Sequence, residues 1–424
     1  MARRAAAGIS ALGIGMATLA GDGPPCPYTV TVAGTAPNCG FWGYSYLQPT
    51  AINNLGHWVG YRNKCPDNES LYQHAIRWTP ETGLEILPVP SNTTSAAAYA
   101  INDLGTVVGW RVGTTDGQFH GYWACIWLPN GEFVEIPPLG GTPPHSWATA
   151  VNNKNVVVGW RNGLGGTSAA RYAFIWHDGQ VTDLDPLPFG SWTAEARDVS
   201  DTGYIVGQFG SDSNGSSRGF RWKDDAVEIL QPLPGAVTST AMGVTETGIV
   251  FGQSRFGSGA GVTHRLTMWA LDGLPVELPS LPGYPSWGCK AVNGSGVVLG
   301  LVAKQSQPGL WTTEEVVWID GVPYAIKPLV SAPVPSQYSG ALAINDLGQL
   351  VCRASTPPGG GAWILTPTGS SADLNGDCVV DGTDLGVLLQ QWGAVPGAPA
   401  SADLDGDGEV DGRDLGILLG AWTG

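Results

Sequence analysis

Three observations predict an all-β fold, a ring of seven four-stranded blades, with a small helical calcium-binding domain behind it. A phrase of about ten residues recurs seven times at a spacing near fifty, a Trp closes one strand of every unit, and the last 54 residues carry two copies of an acidic twelve-residue loop. A chain of 424 residues exceeds what one hydrophobic core serves, so a repeat architecture is the economical solution.

The phrase reads AINNLGHWVG from Ala51, AINDLGTVVG from Ala100, AVNNKNVVVG from Ala150, DVSDTGYIVG from Asp198, GVTETGIVFG from Gly243, AVNGSGVVLG from Ala291 and AINDLGQLVC from Ala343. Its starts lie 49, 50, 48, 45, 48 and 52 residues apart. Within a unit, an alternating segment ends at a turn of Asn, Asp and Gly, and a β-branched run follows, which together read as a hairpin. After a variable polar stretch, a third strand ends in Trp78, Trp127, Trp176, Trp222, Trp269, Trp318 or Trp363, and a second turn leads to a fourth strand. Four strands per unit, a to d, are the content of one propeller blade.

The chain ends predict how the ring closes. The seventh unit stops after GAWILTP without a fourth strand, while YTVTVAG near the start has no partner. Threading Tyr28 to Ala33 into the last blade completes it and removes both free edges. The alternative, an open solenoid, needs capping repeats that the sequence does not show.

Composition supports this reading: Gly 62 and Pro 32 are abundant, charged residues make up only 13%, and hydrophobic residues 43%. A net charge of −16 argues against nucleic acid or an anionic membrane as partner. From Ser371 onward there are ten acids and one Arg, so −9 of that charge sits in the tail. Residues 1–20 read as a secretory signal, with Arg3 and Arg4 before an apolar run and Thr18-Leu19-Ala20 as the cleavage site. The organisation expected is signal 1–20, propeller 24–368 and calcium-binding domain 371–424, secreted and without membrane insertion. Of seven cysteines, Cys26, Cys39 and Cys65 cluster near the mature start, where one disulfide is expected. Cys125, Cys289 and Cys352 lie inside repeats at non-equivalent places and Cys378 in the tail, and the seven together read as one or two disulfides plus buried thiols.

The AIN-x-x-G-x-VVG phrase followed by HAIRW or YAFIW resembles the extracellular HAF-repeat proteins over residues 28–367. The His of that motif survives only as His74, with Trp123, Tyr172, Arg218 and Arg265 at the matching places. The resemblance implies a secreted β-repeat protein and no common reaction.

A position repeated in every blade serves blade packing first, so function is sought where blades differ. The b-to-c stretches and d-to-a connections share one face of the ring, and this long-loop face is the expected binding surface. On it, strand b ends in an aromatic followed by Arg in the first three blades only: Tyr61-Arg62, Trp110-Arg111 and Trp160-Arg161. Trp147, Trp192 and Trp287 lie just before strand a of blades three, four and six. Flat aromatics beside hydrogen-bond donors suit a sugar ring, and packing between blades is the competing role. A polysaccharide or protein ligand is expected there.

For an enzyme, the six His are scattered and none is paired at metal spacing. Acids such as Asp116, Glu195 and Asp212 are not placed by sequence, and no G-x-S-x-G or H-E-x-x-H segment occurs. A binding or scaffold module is therefore the expected role, with a polysaccharide hydrolase or lyase as the alternative.

In the tail, DLNGDCVVDGTD and DLDGDGEVDGRD place oxygen ligands at loop positions 1, 3, 5, 9 and 12. These are Asp373, Asn375, Asp377, Asp381 and Asp384, then Asp403, Asp405, Asp407, Asp411 and Asp414. Val379 and Glu409, at position 7, offer backbone carbonyls. Two calcium ions are expected, one per loop. Behind the loops, Leu385, Leu388, Leu389 and Trp392 match Leu415, Leu418, Leu419 and Trp422, a helical stripe expected to bury against its twin. This tail resembles a type I dockerin, which implies a cohesin-like partner or surface anchor met around Gly382-Thr383, Gly412-Arg413 and the following helices. It departs from the pattern at loop position 6, kept as Gly408 but Cys378 in the first copy.

Overall fold

The computed structural model describes residues 26–35, 46–63, 72–115, 118–137, 145–162, 171–184, 193–210, 217–257, 261–307, 310–330, 338–354, 361–370, 372–374, 380–394, 402–404 and 409–422. The expected signal segment lies outside them.

Seven four-stranded antiparallel sheets form the blades. Blade one runs Leu47–Ile52, Trp58–Asn63, Gln73–Thr79 and Gly83–Ile86 in sheet order. In the last blade the N-terminal strand Tyr28–Thr35 pairs antiparallel with Gly361–Pro367, Tyr28 opposite Pro367, and takes the place of strand d. The closing strand expected from sequence is thus present. It also reaches blade one, where Trp58 Nε1 donates to Ala33 O at 2.7 Å and Ala33 packs with Leu47 and Trp58.

The repeated phrase is explained by two features. Strand a carries a register shift at the same place in every blade, for example between Pro49 and Ala51 and between Ala98 and Ala100. The shift pushes strand a against the Gly that ends the phrase: a Cβ on Gly109 would lie 2.0 Å from Ala97 O. The seventh phrase ends in Cys352 instead, and that blade has a second irregularity between Tyr338 and Ala341.

The turn residues tie blades together. Asn53 Oδ1 accepts from Leu55 N and His57 N, which holds its own turn, while Nδ2 donates to Asn102 O at 2.9 Å in the next blade. One residue further on, a cycle of hydrogen bonds runs round the axis. The amide of Asn54 donates to Asp103, Asp103 to Asn153, Asn153 to Asp201 and Asp201 to Glu246. Glu246 continues to Gly294 O, Gly294 to Asp346, and Asp346 back to Asn54 Oδ1 at 2.9 Å.

The repeated Trp residues act between blades as well. Trp127, Trp269 and Trp318 each donate Nε1 at 2.7 Å to a carbonyl of the preceding blade's d-to-a connection, at Pro88, Gln231 and Pro279. Cys125, Cys289 and Cys352 are buried thiols outside any disulfide. Cys26 is disulfide-bonded; Cys39, Cys65 and Cys378 lie outside the described residues.

Candidate functional site

Strand a begins and strand b ends at the long-loop end, so their cross-strand pairs line that mouth of the ring. The pairs are Gln48–Tyr61, Ala97–Trp110, Trp147–Trp160, Glu195–Gln208, Thr240–Gln253 and Gly288–Leu301. In the first three blades this brings the predicted aromatics together. Trp147 stacks between Trp110, at 5.7 Å and 21°, and Trp160, at 5.5 Å and 28°. Tyr99 and Tyr122 lie against the same indole at 5.8 and 5.6 Å, and Tyr61 packs on the cluster. Trp110 and Trp160 are buried backing, whereas Tyr61, Tyr99, Tyr122 and Trp147 keep part of their surface in solvent. Trp147 Nε1 is out of water with no hydrogen-bond partner; Trp110 Nε1, beside the Tyr99 phenol, makes no hydrogen bond of good geometry either.

Sequence pairs each aromatic with the Arg after it; the structure separates them, because neighbouring residues of a strand face opposite sides of the sheet. Arg111 Nη2 binds Glu135 at 2.5 Å and Arg161 Nη2 binds Asp183 at 2.7 Å, both within their own blade, and Arg62 is buried. Arg111 and Arg161 thereby hold strand b to strand d of their own blades. Trp287 is part of the core between blades five and six, with Nε1 donating to Leu278 O at 3.1 Å. Trp192, Asp116 and Asp212 lie outside the described residues.

The residues that sequence reasoning missed sit largely at the strand-a bulge: Thr50, Tyr99, Thr149, Arg197, Met242, Lys290 and Leu342, one per blade. Several reach the next blade, as Thr149 Oγ1 does to Ala196 O at 2.8 Å and Lys290 Nζ to Ala341 O at 3.0 Å. Their signal is the residue just before the first letter of the repeated phrase, read column by column. Beyond the aromatic sector the mouth is charged. Glu195 is flanked by Arg171 and, at 3.6 Å, Arg197, and the Arg171 guanidinium lies 4.3 Å over the Trp160 ring. Lys290 pairs with Glu315 at 2.8 Å, and Arg353 donates to Gln48 Oε1 at 3.2 Å. His145, whose ring lies 5.3 Å from that of Tyr122, is held neutral by burial and then by Arg171, both of which push its pKa down.

At the short-turn end, the hydrogen-bonded cycle rims a polar cavity of about 180 Å³. Asp198 projects into it where other phrases carry Ala or Gly, and its carboxylate accepts from Val199 N and Val244 N at 2.9 Å. Burial, partly offset by these two bonds, lifts its pKa to about 6. A carboxyl that keeps its proton in the folded state up to about 6, against 3.8 when unfolded, lowers stability as pH rises through that window and adds no slope above it. The unfolding free energy of Asp198→Ala, measured relative to the parent, is therefore expected to shift in the variant's favour by roughly 2–3 kcal/mol between pH 4 and pH 7. A difference that stays flat across that range would show that this carboxyl titrates normally.

The tail repeats itself bond for bond. In the first copy Asp384 is fully buried, its oxygens accepting from Leu374 N at 2.7 Å and Asp381 N at 2.8 Å, while Asp381 caps helix α1 (Gly382–Gln390) through Thr383 N. In the second, Asp414 accepts from Leu404 N and Asp411 N, and Asp411 caps α2 (Gly412–Gly420) through Arg413 N. The strands Gly393–Ala394 and Glu409–Val410 join the copies, Glu409 and Asp403 being exposed and half-buried. Asp373 Oδ2 lies 3.5 Å from Cys26 Sγ. Asn375, Asp377, Val379, Asp405 and Asp407 lie outside the described residues. An all-oxygen donor set with a fully buried carboxylate at position 12 of each loop fits a hard dication. Only half of the predicted stripe is buried. Leu388 and Leu418 are in the core and Leu385 and Leu415 pack on it, but Leu389, Trp392, Leu419 and Trp422 are exposed.

Residues 371–419 match the type I dockerin domain family. Type I dockerins bind calcium, and dockerin domains bind cohesins. No curated protein sequence matches the chain. Among solved structures, the fold is similar to virginiamycin B lyase from Staphylococcus aureus, with 8% identity, TM-score 0.43, and 80% of this chain and 99% of that chain covered. It is also similar to an oligogalacturonate lyase in complex with manganese, with 10% identity, TM-score 0.46, and 82% and 98% covered. A third is the polysaccharide lyase Uly1, with 11% identity, TM-score 0.43, and 82% and 98% covered. Likeness at this level bears on no activity.

Proposed function

We propose that this seven-bladed propeller, carried on a C-terminal type I dockerin domain, is a secreted binding module that holds carbohydrate at its long-loop mouth and is tethered through the dockerin to a cohesin-like partner. The observation that carries the ligand side is the three-indole stack Trp110–Trp147–Trp160 with Tyr61, Tyr99 and Tyr122 at its rim. A pyranose stacks its C–H face on such rings while its hydroxyls bond at the edges. The tether side rests on Leu389, Trp392, Leu419 and Trp422, a doubled apolar surface that two small helices leave in water.

Because Trp110 and Trp160 are buried, Trp147 is the residue to change. Trp147→Ala is expected to weaken glycan binding by about tenfold, in line with the loss of one stacking ring. Binding of the parent and the variant to a broad glycan array, with circular dichroism to confirm the fold, measures this. Equal binding by both would remove the aromatic arc from the reading.

An enzyme acting on polysaccharide at the same mouth has one observation in its favour: neutral His145 stands beside Tyr122 and Arg171, groups suited to proton transfer near an anion. Release of shortened or unsaturated products from a bound glycan would establish it.

A further inference from the structure

We propose that Cys26 is joined to Cys378, a disulfide that fastens the first calcium loop of the tail to the strand closing the propeller, and that this cross-link strengthens calcium binding by that loop. The second half rests on the reading of the tail loops as calcium sites; the first half does not. Cys26 is disulfide-bonded, whereas Cys125, Cys289 and Cys352 are not. Of the seven cysteines, Cys39, Cys65 and Cys378 are left as its partner.

In the sequence Cys26 stands with Cys39 and Cys65, but the closing strand carries it to the other end of the blade. That strand runs from Tyr28, opposite Pro367 at the short-turn end, to Thr35, opposite Gly361 at the long-loop end. Cys26 lies beyond Tyr28 and level with Gly369, where a Cβ would meet Cys26 Sγ at 2.6 Å. At a strand rise of about 3.3 Å per residue, Cys26 and Thr35 are about 25 Å apart or more. Cys39 follows Thr35 by four residues, which span at most about 14 Å. The gap left over exceeds the ~7 Å between Cα atoms that a disulfide tolerates.

Cys65 is farther still. Trp58 opposite Ile52 is the counterpart of Leu350 opposite Ile344, and Leu350 shares its level with Leu365 and Val30. From that level, strand b of blade one climbs five residues to Asn63, while Cys26 lies four residues in the other direction. Nine residue rises separate them, about 30 Å. Cys65 is two residues past Asn63 and can recover only about 7 Å of this.

Cys378 meets no such obstacle. Asp373, at position 1 of the first loop, places Oδ2 3.5 Å from Cys26 Sγ, and Cys378 follows it by five residues. The chain between propeller and loop is short and pinned. Thr368 N and Oγ1 both donate to Pro27 O at 2.8 Å, and Asp373 N donates to Ser370 O at 2.9 Å. The pairing also accounts for the departure at loop position 6, where the second copy keeps Gly408: a residue that cross-links takes the place of one that eases a turn. Thiol–disulfide exchange with a disulfide-bearing oxidant makes the bond, the oxidant taking up the two protons and two electrons that the two thiols give. Once made, the bond restricts the empty loop, which then loses less freedom on ordering round its ion.

Peptide mapping tests the pairing. The full chain, alkylated without reduction, is digested with trypsin and chymotrypsin, Tyr28 offering a cut between Cys26 and Cys39, and linked peptides are identified by mass spectrometry. The expected product joins the Cys26 peptide to the Cys378 peptide. Cys26 joined to Cys39 or Cys65, or Cys378 recovered as an alkylated thiol, overturns the proposal. Calorimetric calcium titration of the full chain tests the consequence, with circular dichroism in calcium to confirm the fold of each form. Cys26→Ser, and dithiothreitol acting on the parent, are each expected to weaken one of the two calcium sites by about tenfold and leave the other unchanged. Dithiothreitol should change neither site in Cys26→Ser. Equal affinities in parent and variant, with the linkage mapped, overturn the coupling alone. Calcium bound by no form removes the calcium reading and, with it, the second half of the proposal, while the mapped pairing stands.

Discussion

Removing calcium from the full chain with EDTA is expected to unfold residues 371–424 and leave the propeller's own melting transition in place. This segment carries ten acids and one Arg, and two fully buried carboxylates, Asp384 and Asp414, sit in a core with eight buried apolar residues among those described. Backbone amides satisfy these carboxylates locally but do not cancel the charge of the whole loop. Without a cation the acids of each loop repel one another, and a core this small supplies too little burial to hold them. Metal binding is thus a large part of the folding free energy. Calcium titration of the full chain is expected to show two ions bound and a gain in helical circular dichroism that EDTA reverses. Asp384→Ala and Asp414→Ala should each abolish one of the two binding events. A helical signal indifferent to EDTA would overturn the assignment of these loops as the metal sites.

Deleting residues 28–35, which spares Cys26, is expected to cost the propeller on the order of 5–8 kcal/mol, a sum of the buried Tyr28 ring, Ala33 and Val30, and the ladder to Gly361–Pro367. The strand also accepts the Trp58 indole at Ala33 O, so blade one loses a buried partner when blade seven loses its edge. The melting temperature should fall by roughly 10 °C or more, and the exposed edges should drive self-association visible by size-exclusion chromatography. A truncated protein that stays monomeric with an unchanged melting temperature would show that the ring is held shut without this strand.

The fold was legible in the sequence because a ring repeats its own grammar: period, turn residues and the recurrent Trp each report one constraint that every blade shares. Closure was legible because one strand was missing at Pro367 and one was spare at Tyr28. The site was legible only in part. Trp147, Trp110 and Trp160 could be picked out as departures from the repeat, but sequence cannot show that Arg111 and Arg161 face away from them, since the pleat turns neighbours to opposite sides. The bulge in strand a was invisible for another reason. It needs no special residue at the bulged position, which is Thr, Tyr, Arg, Met, Lys or Leu by turns, and its clearest trace is the Gly opposite it on strand b in six of the seven blades. In the tail, helical periodicity predicted one buried stripe where half of it is left in water, because the pattern gives an apolar face its direction but not its depth. The exposed Trp392 and Trp422 are the part that a partner can use.

The axial cycle that links Asn54, Asp103, Asn153, Asp201, Glu246, Gly294 and Asp346 has a direction: each backbone amide gives to the next blade in chain order, and the last gives to the first. An open arc of blades leaves one donor at one end and one acceptor at the other, both near the axis. The two ends are therefore complementary to each other. The ring recognises its own completion at the hub, by chemistry separate from the strand that seals it at the rim.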